Sequence, residues 1–250
     1  ASILIGVVAL SMLVSPLLLL LVDRWVVRCY SQAKAGAEMS EQQHAPVIIA
    51  GFGRYGQMVG RVLMSQGYAL TVLDHDAEMI ETAEQFGYRV FYGDASRLEL
   101  LRIAGAGTAK VLVVAVDSKE ASLKIVQLCK AHFPHVHLSV RVFDVTHAYE
   151  MLDLGVSDLE REVFESSLSA AHNTLRVLGH DKLEAKSIVK TFRRHNLDLL
   201  HEMHHVHQDR SLLIATAKQA RKDLEEQMTR DKARREERAS EAKAHSDAAA

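Results

Sequence analysis

The chain has 250 residues, 30 Lys+Arg against 32 Asp+Glu, and a formal net charge of −2 with its 14 histidines neutral. That balance supplies no global basic field for nucleic acid. Two cysteines, Cys29 and Cys129, lie far apart with no CxxC, which excludes a disulfide framework and a zinc ribbon and fits a reducing compartment.

Residues 1–22 carry no charge. As a helix, the apolar run 3–22 is about 30 Å long, the thickness of a bilayer's hydrocarbon core. Gly6, Ser11, Ser15 and Pro16 interrupt it, and small residues and proline are tolerated where membrane helices pack. Asp23, Arg24, Trp25, Arg28, Tyr30 and Lys34 follow, an aromatic and basic exit that marks a cytoplasmic membrane edge. The alternatives are a secretory signal peptide, which carries its basic residues before the apolar core rather than after it, and a buried core helix. The expectation is a transmembrane helix at 1–22, the end of a longer membrane domain, because a lone span makes no transport path. Residues 23–46 read as a linker, polar and aperiodic from 31 to 45.

From Val47 onward, short β-branched runs alternate with amphipathic stretches. Strands are expected at 47–50, 69–73, 89–92, 111–116 and 137–140. Helices are expected at 55–66, 77–86, 97–104, 119–132 and 145–154, several of them closed by glycine. The alternation means βαβ units, so 47–160 is read as a Rossmann-like, doubly wound parallel sheet. After Gly155 no further strong strand is expected. Helices at 163–178 and 185–207 place a helical extension at 161–209, and 210–250 reads as a charged helical or disordered tail ending in a disordered 246–250.

The motif that carries chemistry is Gly51-Phe52-Gly53-Arg54-Tyr55-Gly56, between a strand and a helix. Gly51 permits the tight turn, Gly53 lets backbone approach a phosphate, and Gly56 lets the helix sit close to the sheet. The helix start then faces an anion with its N–H groups and its dipole. Asp74, at the end of the next strand, can accept ribose hydroxyls and repels a 2′-phosphate. Asp94 follows the third strand, where it is equally readable as the N-cap of helix 97–104.

Residues 47–61 (VIIAGFGRYGQMVGR), 72–76 (VLDHD) and 90–95 (VFYGDA) resemble the RCK or KTN domains that regulate potassium transport. With 132–135 (HFPH), 192–196 (FRRHN) and the segment 11–25, the resemblance is to the Kef family of glutathione-regulated potassium–proton antiporters. It runs from residue 1 to about Asn196. It implies a regulatory rather than enzymatic role, with potassium efflux held closed by reduced glutathione and opened by glutathione–electrophile adducts. It implies an AMP or NAD(H) ligand held by Gly51, Phe52, Gly53, Arg54, Tyr55, Gly56, Asp74, His75, Asp94 and Ala95. It also implies a glutathione site at Arg61, Phe86, Arg161 and Asn196. Further implications are a homodimer, an upstream antiporter domain in a bacterial inner membrane with this part on its cytoplasmic side, and for some members a flavin-containing quinone-reductase-like ancillary subunit. Val163, His195 and Tyr55 depart from the family pattern, which expects Thr, Phe and Phe.

His201-Glu202-Met203-His204-His205 has the H-E-x-x-H spacing of a zincin helix. A catalytic zinc needs a third ligand and a cleft, and Glu225 and Glu226 are candidates only by distance. The segment is read as a histidine-rich polar helix without metal, and His132, His135 and His137 likewise. Two other function classes compete: an NAD-dependent oxidoreductase, which would need a substrate domain and a proton donor, and an RCK domain serving another potassium transporter without glutathione.

Overall fold

The computed structural model describes residues 42–76, 79–81, 83, 88 and 90–248, together with Met12, Val14 and Leu18. The expected span at 1–22 falls outside the described residues but for those three, and among the described residues no helix is long and apolar enough to cross a membrane. The chain divides into two compact units, Ala1–Arg141 with Leu154–Glu160, and Val142–Asp153 with Arg161–Ala250.

The first unit is built on a parallel sheet. Its elements run β1 (Val47–Ala50), α1 (Arg54–Ser65), β2 (Leu70–Asp74), β3 (Val90–Tyr92), α2 (Leu98–Ile103), β4 (Val111–Val114), α3 (Lys119–His132) and β5 (His137–Val142). With β6 (Asp158–Arg161), the sheet order is β3-β2-β1-β4-β5-β6. The β1–β2, β1–β4, β2–β3 and β4–β5 pairs are all parallel, with Val47 opposite both Leu70 and Val111. The order reverses at β1, so the crevice between the carboxyl ends of β1, β2 and β4 is the topological switch point of the fold. β1 is buried at all four positions, as a central strand covered on both faces must be. On one face Val47, Ile49, Phe52, Val72, Val90 and Val113 form a continuous core.

β1 and α3 occupy their expected bounds. β4 ends at Val114 rather than 116, because Ala115 and Val116 leave the strand to form the floor of the crevice. The helix expected at 77–86 lies partly outside the described residues; Met79–Glu81 and Ala83 are helical. β6 was not expected. Its four residues, Asp-Leu-Glu-Arg, offer one aliphatic side chain and no apolar run, so only pairing at the sheet edge makes them a strand.

The second unit contains α4 (Val145–Asp153), α5 (Phe164–Val177), α6 (Lys182–His204) and α7 (Arg210–Ala248). Gly179, at φ 101°, breaks the chain between α5 and α6. Asp181 then caps α6, accepting the N–H groups of Leu183 at 2.7 Å and Glu184 at 2.9 Å, and these bonds hold its carboxyl below the usual range. Arg193 on α6 pairs with Glu165 on α5. Asp209 caps α7 through the hydroxyl and N–H of Ser211 and the N–H of Leu212. The disorder expected at 246–250 is corrected as far as Ala248, because α7 continues to that residue. Its sequence from 218 is charged helix formers of both signs, and Ala220 is buried on it.

The strand-to-helix corner tolerates no side chain at two positions. Gly51 has φ 95°, and a Cβ there would meet the Ala115 carbonyl at 2.7 Å; a Cβ on Gly56 would meet the Gly51 carbonyl oxygen at 2.1 Å. Gly56→Ala is therefore expected to destabilise the first unit by roughly 3 kcal/mol, the upper range for forced overpacking. Urea unfolding checks this, with Gly107→Ala, where a Cβ meets nothing within 4 Å, as the near-neutral control.

Candidate functional site

The crevice at the switch point opens into a cavity of about 460 Å³ lined by Gly51, Leu73, Asp74, His75, Gly93, Asp94, Ala95, Ser96, Val116, Asp117, Ser118 and Ala121. A second lobe of about 160 Å³ shares Gly51, Asp74, His75, Val116 and Asp117 and adds Gly53, Asp76, Met79 and Ala115. A cavity of several hundred Å³ matches a nucleotide-sized ligand. Gly53 is the N-cap of α1 and carries no capping side chain, and the first turn holds no acidic residue. The helix therefore presents its N–H groups and positive end to the crevice without a side-chain cap of its own.

Asp74 is only 8% exposed, and both of its oxygens are engaged. One accepts the Phe52 N–H at 2.6 Å and the other the Asp76 N–H at 2.8 Å. The carboxylate thus pins the middle of the glycine loop to the end of β2. His75 lies beside it, with Nδ1 at 3.8 Å. Asp94 is not the N-cap of the following helix. Its carboxylate accepts the Ser96 N–H at 2.8 Å in a local Asx turn, and the cap position of α2 falls on Arg97.

Of the residues expected to hold a nucleotide, Gly51, Gly53, Asp74, His75, Asp94 and Ala95 line the two lobes. Phe52 turns its fully buried ring into the core, edge-on to Tyr88 at 5.2 Å. Arg54 is exposed at the first turn of α1. Gly56 lies beneath the loop. Tyr55 places its ring 5.8 Å from the Arg141 guanidinium, and its phenol is pushed up by burial first and by Glu160 and Asp158, with Arg141 opposing.

Three participants were missed. Asp117 follows β4 and lines both lobes. Arg141, 4% exposed, donates to the Val116 carbonyl at 2.8 Å and to Asp117 at 2.6 Å, fixing the crevice wall from behind. Ser118 caps α3 by accepting the Ala121 N–H at 3.2 Å. Asp117-Ser118 directly after a buried strand was the available signal; Arg141, inside β5, gave none.

Two of the residues implied for glutathione meet within one unit. In the second unit Arg161 donates to the Asn196 side-chain oxygen at 2.6 Å and stacks 3.7 Å over the Phe164 ring. Burial lowers its pKa, with Glu165 and Tyr149 opposing. The Tyr149 phenol is pushed up by burial while the charge of Arg161 opposes. Arg61 is exposed on α1 of the first unit, and Phe86 lies outside the described residues.

Two outcomes check this geometry. Asp74→Ala removes a charged acceptor from a buried N–H, so it is expected to cost about 2 kcal/mol of stability with no nucleotide added; a residue serving only a ligand would leave the ligand-free unfolding curve unchanged. Cys129 is 1% exposed and burial pushes its thiol up to about 12. It is expected to resist N-ethylmaleimide in the native protein at pH 7–8 and to react on unfolding, read by mass spectrometry.

Two families match successive parts of the chain. The TrkA-N domain family matches residues 47–160, and the potassium efflux system KefB C-terminal domain family matches 166–245. The chain is 42% identical over 225 residues to the glutathione-regulated potassium-efflux system protein KefC of Escherichia fergusonii, covering 90% of this chain and 36% of that protein. It is 41% identical over the same length to KefC of Escherichia coli O139:H28. The chain thus spans about a third of the length of these relatives. Among solved structures, the Kef C-terminal domain of Shewanella denitrificans in its AMP-bound form is 41% identical, with a TM-score of 0.60, covering 64% of this chain and 98% of that one. A Rossmann-like sheet unit and a helical unit, matched in sequence and in fold to such a domain along nearly its whole length, place the chain in the Kef potassium-efflux family.

Proposed function

We propose that this protein is the ligand-reading regulatory part of a potassium-efflux antiporter, not an enzyme. It holds an adenine nucleotide, AMP or NAD(H), in the switch-point crevice and also responds to glutathione. The observation that carries the reading is the crevice itself, which combines the Gly51–Gly53 corner, a helix start without a side-chain cap and Asp74, in a chain 41% identical to a Kef C-terminal domain bound to AMP. Asp74, Asp94 and Asp117 around the cavity favour ribose hydroxyls and disfavour a 2′-phosphate. Gly53 and the start of α1 suit the phosphate.

Glutathione carries two carboxylates at neutral pH. Arg161 offers a planar guanidinium already oriented by Asn196 and Phe164, and the bond to Asn196 uses one of its five N–H donors. Arg61 and Phe86 complete the residue set that the family pattern implies. Reduced glutathione holds the antiporter closed, and a bulky S-substituted adduct opens it by displacing Phe86. A small ligand shifts such an equilibrium only through its difference in affinity for the two states. The protein acts as a homodimer attached to a membrane antiporter domain on the cytoplasmic side of a bacterial inner membrane. Val163, Val177, Leu178 and Leu183, between 63% and 88% exposed around α5, support a partner surface on the second unit. An ancillary quinone-reductase-like subunit is a further partner to be sought.

Calorimetry with the full chain tests the assignment. AMP and NADH bind without NADH turnover. Arg161→Ala weakens reduced glutathione and its S-substituted adduct together by at least about tenfold, the scale of one lost charged hydrogen bond, whereas the exposed Arg194→Ala does not. In cells carrying the complete transporter, Phe86→Ala spares inhibition by reduced glutathione and blunts activation by the adduct. Unchanged affinity of both ligands in Arg161→Ala would remove glutathione from this site.

A further inference from the structure

The H-E-x-x-H spacing singles out His201 and His205. The structure leaves both exposed and brings a different set together. Among the described residues, the ligand atoms of Asp153, His204 and His207 lie within 4.8 Å of one another. We propose that these three side chains form a binding site for a divalent transition-metal ion of the zinc type.

Asp153 is the last residue of α4, His204 the last of α6, and His207 sits in the turn before α7. One carboxylate spans both rings: Oδ1 is 2.8 Å from His204 Nε2 and Oδ2 is 3.2 Å from His207 Nε2. Ligand atoms about 2.0–2.1 Å from a tetrahedral ion stand roughly 3.3 Å apart, and these three groups, one ligand atom from each, already converge to within 4.8 Å.

The decisive feature is the far side of His207. Its Nδ1 is 2.5 Å from the His204 backbone carbonyl, an oxygen that can only accept. Nδ1 therefore carries the proton, and in the neutral ring Nε2 presents a lone pair. That lone pair faces a carboxylate oxygen, so two acceptors confront each other until a cation stands between them. A backbone carbonyl behind a ligating imidazole is the usual means by which proteins fix the tautomer and orientation of a metal-binding histidine. The rings are also held by packing, stacked on each other at 5.3 Å and 9° and set against Tyr149 at 6.2 and 5.2 Å.

Access and ligand type agree. The Asp153 side chain is 46% exposed and the two imidazoles 22% and 20%, which leaves an open face for entry and for a water as fourth ligand. Two imidazoles with one carboxylate favour zinc, nickel or copper over magnesium and calcium, which prefer all-oxygen shells. The bound ion would tie the end of α4 to the α6–α7 junction, one helical turn from Tyr149.

The test uses the full chain carrying no histidine tag, stripped with chelator and titrated with Zn²⁺ by calorimetry. One equivalent is expected to bind tightly, raise the thermal midpoint reversibly with chelator, and be unaffected by millimolar Mg²⁺. Asp153→Asn and His207→Gln, both close to isosteric, are each expected to weaken it at least about 100-fold, beyond the range for losing an outer-shell partner. The double variant His201→Gln/His205→Gln is expected to keep it. Co²⁺ in place of zinc should give the intense visible bands of a four-coordinate site in the parent and lose them in Asp153→Asn. Absence of a tight equivalent in the parent would mean that a proton is the bridging cation and would overturn the proposal. So would its survival in both Asp153→Asn and His207→Gln, or its loss in the His201/His205 double variant.

Discussion

The bond from the Phe52 N–H to the carboxylate of Asp74 holds the corner around which the first unit is arranged. A buried carboxylate is tolerated only when its charge is answered by donors, and here the answer is the backbone of the loop it supports. The bond requires the loop to turn back sharply from β1, which Gly51 does at φ 95°. It also requires α1 to start directly beneath the turn, which the missing Cβ of Gly56 allows. Strand, loop and helix thereby share one rigid junction. The crevice beside it takes one side of its shape from this junction, and Asp74 contributes one of the carboxylates along its wall.

Arg141 plays the corresponding part on the other side of the crevice. It is a buried cation whose guanidinium holds the Val116 carbonyl and Asp117 while its face meets Tyr55. An arginine suits this place because its planar fork can bind two acceptors and stack at once. In the second unit Arg161 repeats the pattern with Asn196 and Phe164. In both cases a cation is oriented by a polar partner and an aromatic ring, leaving the geometry of its charge fixed before any ligand arrives.

Cys129 bears on how such a protein would meet an electrophile. Its thiol is buried and remains protonated at cellular pH, so it is a packing residue and not a sensor.

The sequence by itself determined the α/β alternation, the Rossmann-like sheet and the position of its glycine corner, because these are local matters. β-branched runs, amphipathic periods and φ-permissive glycines act within a few residues of where they are written. The bounds of β1 and α3 were legible for that reason. What the tertiary structure decided depends on pairings across long stretches of chain. β6 has no apolar signal of its own and exists through its place at the sheet edge. Arg141 looked like one polar residue within a strand until the fold placed it behind Asp117, 24 residues earlier. The histidines show the limit most clearly. Spacing along one helix drew attention to His201 and His205, whereas the group that converges takes His204 and His207 and borrows Asp153 from an element 51 residues away in the chain. A ligand set drawn from two elements has no period in the sequence, and only folding brings it together.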